Sequence, residues 1–128
     1  MSENALRIIS DSMESIGLNY AFMEWIGAPE DFYWIGEYQE SEPMFEDGMQ
    51  ESTFILTGFA RGITALADLE SAKQKIKEHF HPIGGKKVIA DDGSAVAIFY
   101  ASGFHIRMDD GEVKKIQVNL DVKEWSVK

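Results

Sequence analysis

Near the C-terminus, Ile116, Val118, Leu120 and Val122 alternate with Gln117, Asn119, Asp121 and Lys123. Period two over this stretch puts four aliphatic side chains on one side of a strand and four polar ones on the other. The backbone of such a strand needs paired neighbours, and its aliphatic side needs an apolar cover. The stretch therefore demands a sheet with one face packed and one face wet, and the rest of the chain has to supply both the other strands and the cover.

The cover is found in two helical patterns. In residues 4–16, Leu6, Ile9, Met13 and Ile16 follow the steps of one helical face. Ser2 or Asn4 stands at the N-cap position and Gly17 where a left-handed stop belongs. In residues 65–80, Leu66, Leu69, Ala72, Ile76 and Phe80 form a stripe. Asp68 and Glu70 lie near the start of that helix and Lys73, Lys75 and Lys77 toward its end, the order that suits a helix dipole. Thr64 is the expected N-cap, and His81-Pro82 with Gly84-Gly85 the stop.

Between the helices, strands are expected at 18–25, 32–38 and 51–59, the last carrying the β-prone run Thr53-Phe54-Ile55-Leu56-Thr57. Pro29 marks a loop after the first, and residues 39–51 form a long acidic connection between the second and third. After the second helix, strands at 87–90, 95–101, 104–108 and 113–123 flank Asp91-Asp92-Gly93-Ser94 and Asp109-Asp110-Gly111-Glu112. Asp-Gly pairs between apolar runs signal hairpins, with positive φ at both central turn positions. Ser102-Gly103 is a bulge or a break within one long strand. The predicted fold is one α+β domain over residues 1–128, two-layered, with a mostly antiparallel sheet packed by a helix, order α-β-β-β-α-β-β and C-terminal hairpins. A length of 128 residues suits one core rather than two.

Charge divides the chain. The net charge is −10, and the interval between Arg7 and Arg61 holds eleven acids and no Lys or Arg. From Arg61 onward there are eleven basic and ten acidic side chains. An acidic half repels phosphate backbones, which argues against specific nucleic-acid binding. It is a solvated surface, a face for a basic partner, or the lining of a passage for something anionic. With no Cys, thiolate metal sites and Cys nucleophiles are excluded, and a reducing cytoplasm is compatible. No apolar run approaches the roughly 20 residues that span a bilayer, and Met1-Ser2-Glu3-Asn4 lacks a basic secretion-signal start.

Chemistry-bearing motifs are weak. Glu46-Asp47-Gly48, Asp91-Asp92-Gly93 and Asp109-Asp110-Gly111 read as turns rather than calcium loops. His79-Phe80-His81 falls at a helix end without further ligands nearby. Ser102-Gly103-Phe104-His105 is not a nucleophile elbow, and Gly84-Gly85-Lys86-Lys87 is too short for a phosphate loop. No catalytic, cofactor-binding or metal residue is assigned. Met44, Phe45 and Met49, on the acidic connection with Glu46 and Asp47, lack any period that would bury them, and Met and aromatics are enriched at protein interfaces. They are candidate interface residues, the alternative being that they fold back on their own sheet. Lys73 and Lys77 are candidate cations for an acidic neighbour.

The order of elements resembles the small tail-completion and tail-terminator proteins of long-tailed bacteriophages and prophages. A helix ends at Gly17 and leads into Leu18-Asn19-Tyr20-Ala21-Phe22. Pro29 precedes the aromatic strand Phe32-Tyr33-Trp34-Ile35-Gly36-Glu37-Tyr38. A long loop leads to Glu51–Thr57, a single helix covers 65–80, and Lys115–Val122 closes the chain. The resemblance implies a non-enzymatic virion protein made in the host cytoplasm. It would form a homo-oligomeric ring at the head–tail joint, have no cofactor, pass DNA through its bore and contact tail-tube or head-connector proteins. The long C-terminal hairpins depart from the family pattern. Two other readings stand beside it: an intracellular adaptor binding one protein partner, and a hydrolase or metal-dependent enzyme using the acidic half.

Overall fold

The computed structural model describes residues 1–25, 27, 31–40, 49–107 and 113–125. The elements run α1 (Glu3–Ser15), β1 (Tyr20–Phe22), β2 (Phe32–Glu40), β3 (Met49–Arg61), α2 (Ala65–His79), β4 (Lys86–Ile89), β5 (Ala95–Ile106) and β6 (Val113–Trp125). The class is α+β, as expected. The order differs from the prediction by one strand, because three strands follow α2 rather than two. Ser102-Gly103 does not break the chain into two strands. The register slips between Tyr100 and Ser102 while pairing to β6 continues, so β5 is one bulged strand.

One six-stranded sheet is formed, in the order β1-β2-β3-β6-β5-β4. It is mixed, not the mostly antiparallel sheet expected. β1 runs parallel to β2, and the other pairs are antiparallel. The parallel pair follows from local geometry. α1 ends in a Schellman stop, with Gly17 at φ +78°, its N–H donating to Glu14 and the Leu18 N–H to Met13. The chain leaves this stop in the direction β2 later takes, so Tyr20 lies beside Trp34. β3 and β6 form the centre, paired from Met49↔Trp125 to Arg61↔Val113.

The Ile116 alternation holds. Ile116, Val118, Leu120 and Val122 are buried, together with Phe54, Leu56 and Ala60 of β3 and Trp34 of β2. Ala5, Ile9 and Met13 of α1, and Leu69, Ala72 and Ile76 of α2, join the same cluster. The α2 stripe is turned slightly from the predicted one. Ala65 takes the buried place and Leu66 is half-exposed. Gly58 opposes Trp34 in the ladder, and a Cβ there would lie 2.8 Å from the indole. The glycine makes room for the largest core side chain.

Ser2 caps α1: its hydroxyl accepts from the Ala5 N–H at 3.1 Å. Its hydroxyl and N–H also donate to Glu124, tying the helix start to the end of β6. Thr64 makes no capping bond to the backbone, and its hydroxyl donates to the Asp68 carboxylate instead. In the β4–β5 turn only Gly93 takes positive φ, not both central residues, and the Gly93 N–H donates to Ala90. The second Asp-Asp-Gly turn lies outside the described residues.

Candidate functional site

The ladder register assigns every strand residue to one of two sheet faces. The face just described meets both helices. The opposite face carries Tyr33 and Ile35 of β2 and the odd-numbered residues of β3 and β6. It also carries Lys87 and Ile89 of β4, and Ala95, Ala97, Phe99 and Phe104 of β5. Neither described helix places its buried residues there. This face is not uniformly wet. Two apolar groups stand at its ends, separated by a mixed stretch in which Thr53, Thr57, Gln117, Asn119 and Asp121 surround Ile35 and Ile55.

The first group is aromatic. Tyr33 and Phe59, cross-strand partners, stack at 5.0 Å between ring centroids, and Trp25 lies against Tyr33 at 5.1 Å. Lys115 sits over Phe59, its Nζ 5.2 Å from the ring centre. The second group is a cleft of about 420 Å³ at the other end of the face. Met49, Ile89, Ala95, Ala97, Phe99 and Trp125 line it, with Lys87 and Lys123 among them. Lys123 Nζ lies 5.7 Å from the Phe99 ring centre and 3.7 Å from the Glu51 carboxylate. Ile89 is 77% exposed.

Of the predicted interface residues, Met44, Phe45, Glu46 and Asp47 lie outside the described residues. Met49 belongs to β3 rather than to the connection and lines the cleft. Lys73 and Lys77 lie on α2, on the other side of the sheet. Lys73 Nζ is 3.0 Å from Glu70, and Lys77 Nζ is 5.6 Å from the Tyr100 ring centre. Both are engaged within their own chain.

Trp125, Phe99, Ile89, Phe59 and Tyr33 were not singled out from the sequence. A signal existed for Trp125, since it extends the alternation beyond Lys123 on the polar side of the strand. A large aromatic at such a position puts an amphipathic ring on the face away from the helices.

Two polar groupings lie elsewhere. Glu70 joins α2 to β5 through His105, Oε1 to Nε2 at 2.5 Å. Bonds from Lys73 and His105 hold the Glu70 carboxyl below the usual carboxylate range. A pocket of about 300 Å³ between α1 and β4 is lined by Asp11, Ser12, Ser15, His79 and Lys86, among others. His79 Nε2 is buried there without a hydrogen-bond partner. Burial, and then the Lys86 charge, lower the His79 pKa. Among the described residues no three His or carboxylate groups converge as a metal site. Among the described residues no helix is long and apolar enough to cross a membrane. No protein-family model and no curated protein matches the chain.

Proposed function

We propose that the protein is a structural subunit that assembles with copies of itself into a ring, in the manner of phage tail-completion proteins. In this reading the fold is two-layered, with both helices on one side of the sheet and the opposite face left for neighbours. The observation that carries the reading is that opposite face, with aromatic and aliphatic groups at its two ends. An apolar surface divided in this way suits contact with another protein better than solvent. The division of charge supports it, because an acidic first half and a lysine-bearing second half favour head-to-tail contact. Head-to-tail contacts close into rings when the rotation permits. The ring would sit at the head–tail joint of a virion, with DNA passing a bore whose acidic residues do not hold phosphate.

Analytical ultracentrifugation with negative-stain imaging tests this. The expected outcome is a closed ring of identical subunits. It should weaken as salt rises from about 0.1 M to about 1 M, since screening then shortens from about 10 Å to about 3 Å. A strict monomer at every concentration would refute the ring and favour the second reading, an adaptor that uses the same face for one different partner.

A further inference from the structure

We propose that the open edge of β5 beyond its bulge, residues 102–106, pairs antiparallel with the same edge of a second copy, Phe104 facing Phe104 across a two-fold axis. The inference goes beyond the ring reading and does not depend on it.

β5 is longer than the strand beside it. β4 pairs only with Ala95–Ile98, and the Phe80 carbonyl accepts the Tyr100 N–H. Further along, no described strand or loop bonds to the outer side of β5. The direction of the peptides there follows from the rest of the ladder. The Arg61 N–H donates to Asp31, so odd residues of β3 turn toward β2 and even ones toward β6. Carried across the register, even residues of β6 turn toward β3 and odd ones toward β5. Ser102, Phe104 and Ile106 stand opposite Asn119, Gln117 and Lys115 and so bond to β6. Gly103 and His105 turn their N–H and C=O groups outward.

An edge of this kind is a template for another strand unless something blunts it. Residues 102–106 read Ser-Gly-Phe-His-Ile, with no Pro and no Lys, Arg, Asp or Glu. His105 is drawn onto Glu70 of α2, and Phe104, on the other face, is 47% exposed. The edge complements itself. When Gly103 of each copy opposes His105 of the other, each pair exchanges two backbone hydrogen bonds. Phe104 then falls between them at a non-hydrogen-bonded position, its Cα about 4.5 Å from its counterpart, where side chains come closest. One contact covers two half-exposed rings. No fixed charge meets its like there, in a chain whose net charge is −10.

The chain's own remaining residues are too short to fill this edge. Six residue steps join Arg107 to Val113 through 108–112, at most about 20 Å. Passing beside Gly103 and returning needs roughly 30 Å by the ladder spacings. Residues 41–48 and 126–128 adjoin Met49 and Trp125, at the Ala95 end, about 25 Å along β5 from Gly103. Three residues do not cover that distance, and eight do not cover it and return to β2. Residues 26 and 28–30 are held between Trp25 and Asp31, on the β1–β2 side of the sheet. A second copy meets none of these limits, and its edge is the same surface, as a two-fold contact requires.

The chain has no Cys, so Phe104→Cys and Ile106→Cys report the register directly. Under mild oxidation Phe104→Cys should cross-link into a dimer at least about tenfold faster than Ile106→Cys, because position 106 opposes Ser102 of the other copy and not itself. In sedimentation, Phe104→Lys and Phe104→Glu should each run at half the wild-type mass, through repulsion of like charges directly opposite. An equimolar mixture of the two should restore that mass, which also shows that both variants fold. Equal cross-linking of the two Cys variants overturns the proposal, as does a wild-type monomer at every concentration. A single ring untouched by charge at position 104 removes the pairing and leaves the ring. A wild-type dimer that grows no larger and is split by either charge keeps the pairing and removes the ring. Two rings back to back, parted by either charge, keep both.

Discussion

Phe54 and Ile55 are neighbours on β3, and they belong to different problems. Phe54 is fully buried beneath the helices, its ring 6.4 Å from that of Phe22. Ile55 points the other way, between Thr53 and Thr57 and opposite Asn119. The helix side of this sheet is continuous: Trp34, Leu56, Phe80, Ile116 and Leu120 are all at 0% exposure. The opposite side is broken into an aromatic group, a mixed stretch and a cleft. A face that only had to stay wet would carry polar residues throughout. A face that only had to hold the fold together would be continuous. The broken one fits neither pattern, and in the reading proposed above it is the surface that meets a neighbour.

That contrast fails if truncation on the two sides has similar effects. Phe54→Ala removes a fully buried ring and should cost about 3–5 kcal/mol. In a domain of this length that lowers the melting temperature by roughly 10–20 °C. Ile55→Thr keeps a β-branched side chain at a half-buried position and should cost less than about 1 kcal/mol. Thermal or urea unfolding followed by circular dichroism reads both. Equal losses would make the opposite face part of the core and withdraw it as a contact surface.

The helix side was legible because its pattern is strict. Period two in β6, and helical steps in Ile9–Met13 and Leu69–Ile76, mark positions that are buried together. Gly17 announced the α1 stop through its left-handed φ. The parallel β1–β2 pair was not legible, since three residues of strand, Tyr20–Phe22, carry no sign of direction. Nor was the cleft. Its residues come from four strands, each contributing one to four residues, and only the sheet order makes them neighbours. Met49, read as part of the acidic connection, lacks a helical or strand period. The pairing Met49↔Trp125 shows that it starts a strand instead, and its exposed-side partner is what gives it a place.

A smaller effect separates the faces at Gly58 and Thr57. A methyl at Gly58 would meet the Trp34 indole at 2.8 Å, and the indole is itself fully buried. Gly58→Ala should therefore cost about 1–3 kcal/mol through overpacking. Thr57→Ala, one residue away and on the opposite face, should change stability by no more than about 0.5 kcal/mol. If Gly58→Ala is neutral, Trp34 has room to move, and the helix side is less tightly packed than its burial implies.

The smallest expected effect concerns protons. His79 stands at the end of α2, in the pocket by α1, with Asp11 and Lys86 as its charged neighbours. Burial and Lys86 lower its pKa, so the unfolded chain, with an ordinary value of about 6.5, takes up the proton first. Stability should then be complete above about pH 7 and fall as pH drops through about 6.5 toward the folded value. Because solvent reaches part of the ring, the loss should stay below about 1 kcal/mol. Unfolding free energies measured for the wild type and His79→Gln between about pH 7.5 and about pH 5.5 isolate it. The expected result is a shallower pH dependence in the variant. A steeper one would mean that His79 is more readily protonated in the folded chain, with Asp11 outweighing burial. The pocket on the helix side would then be a charged site rather than the edge of the core.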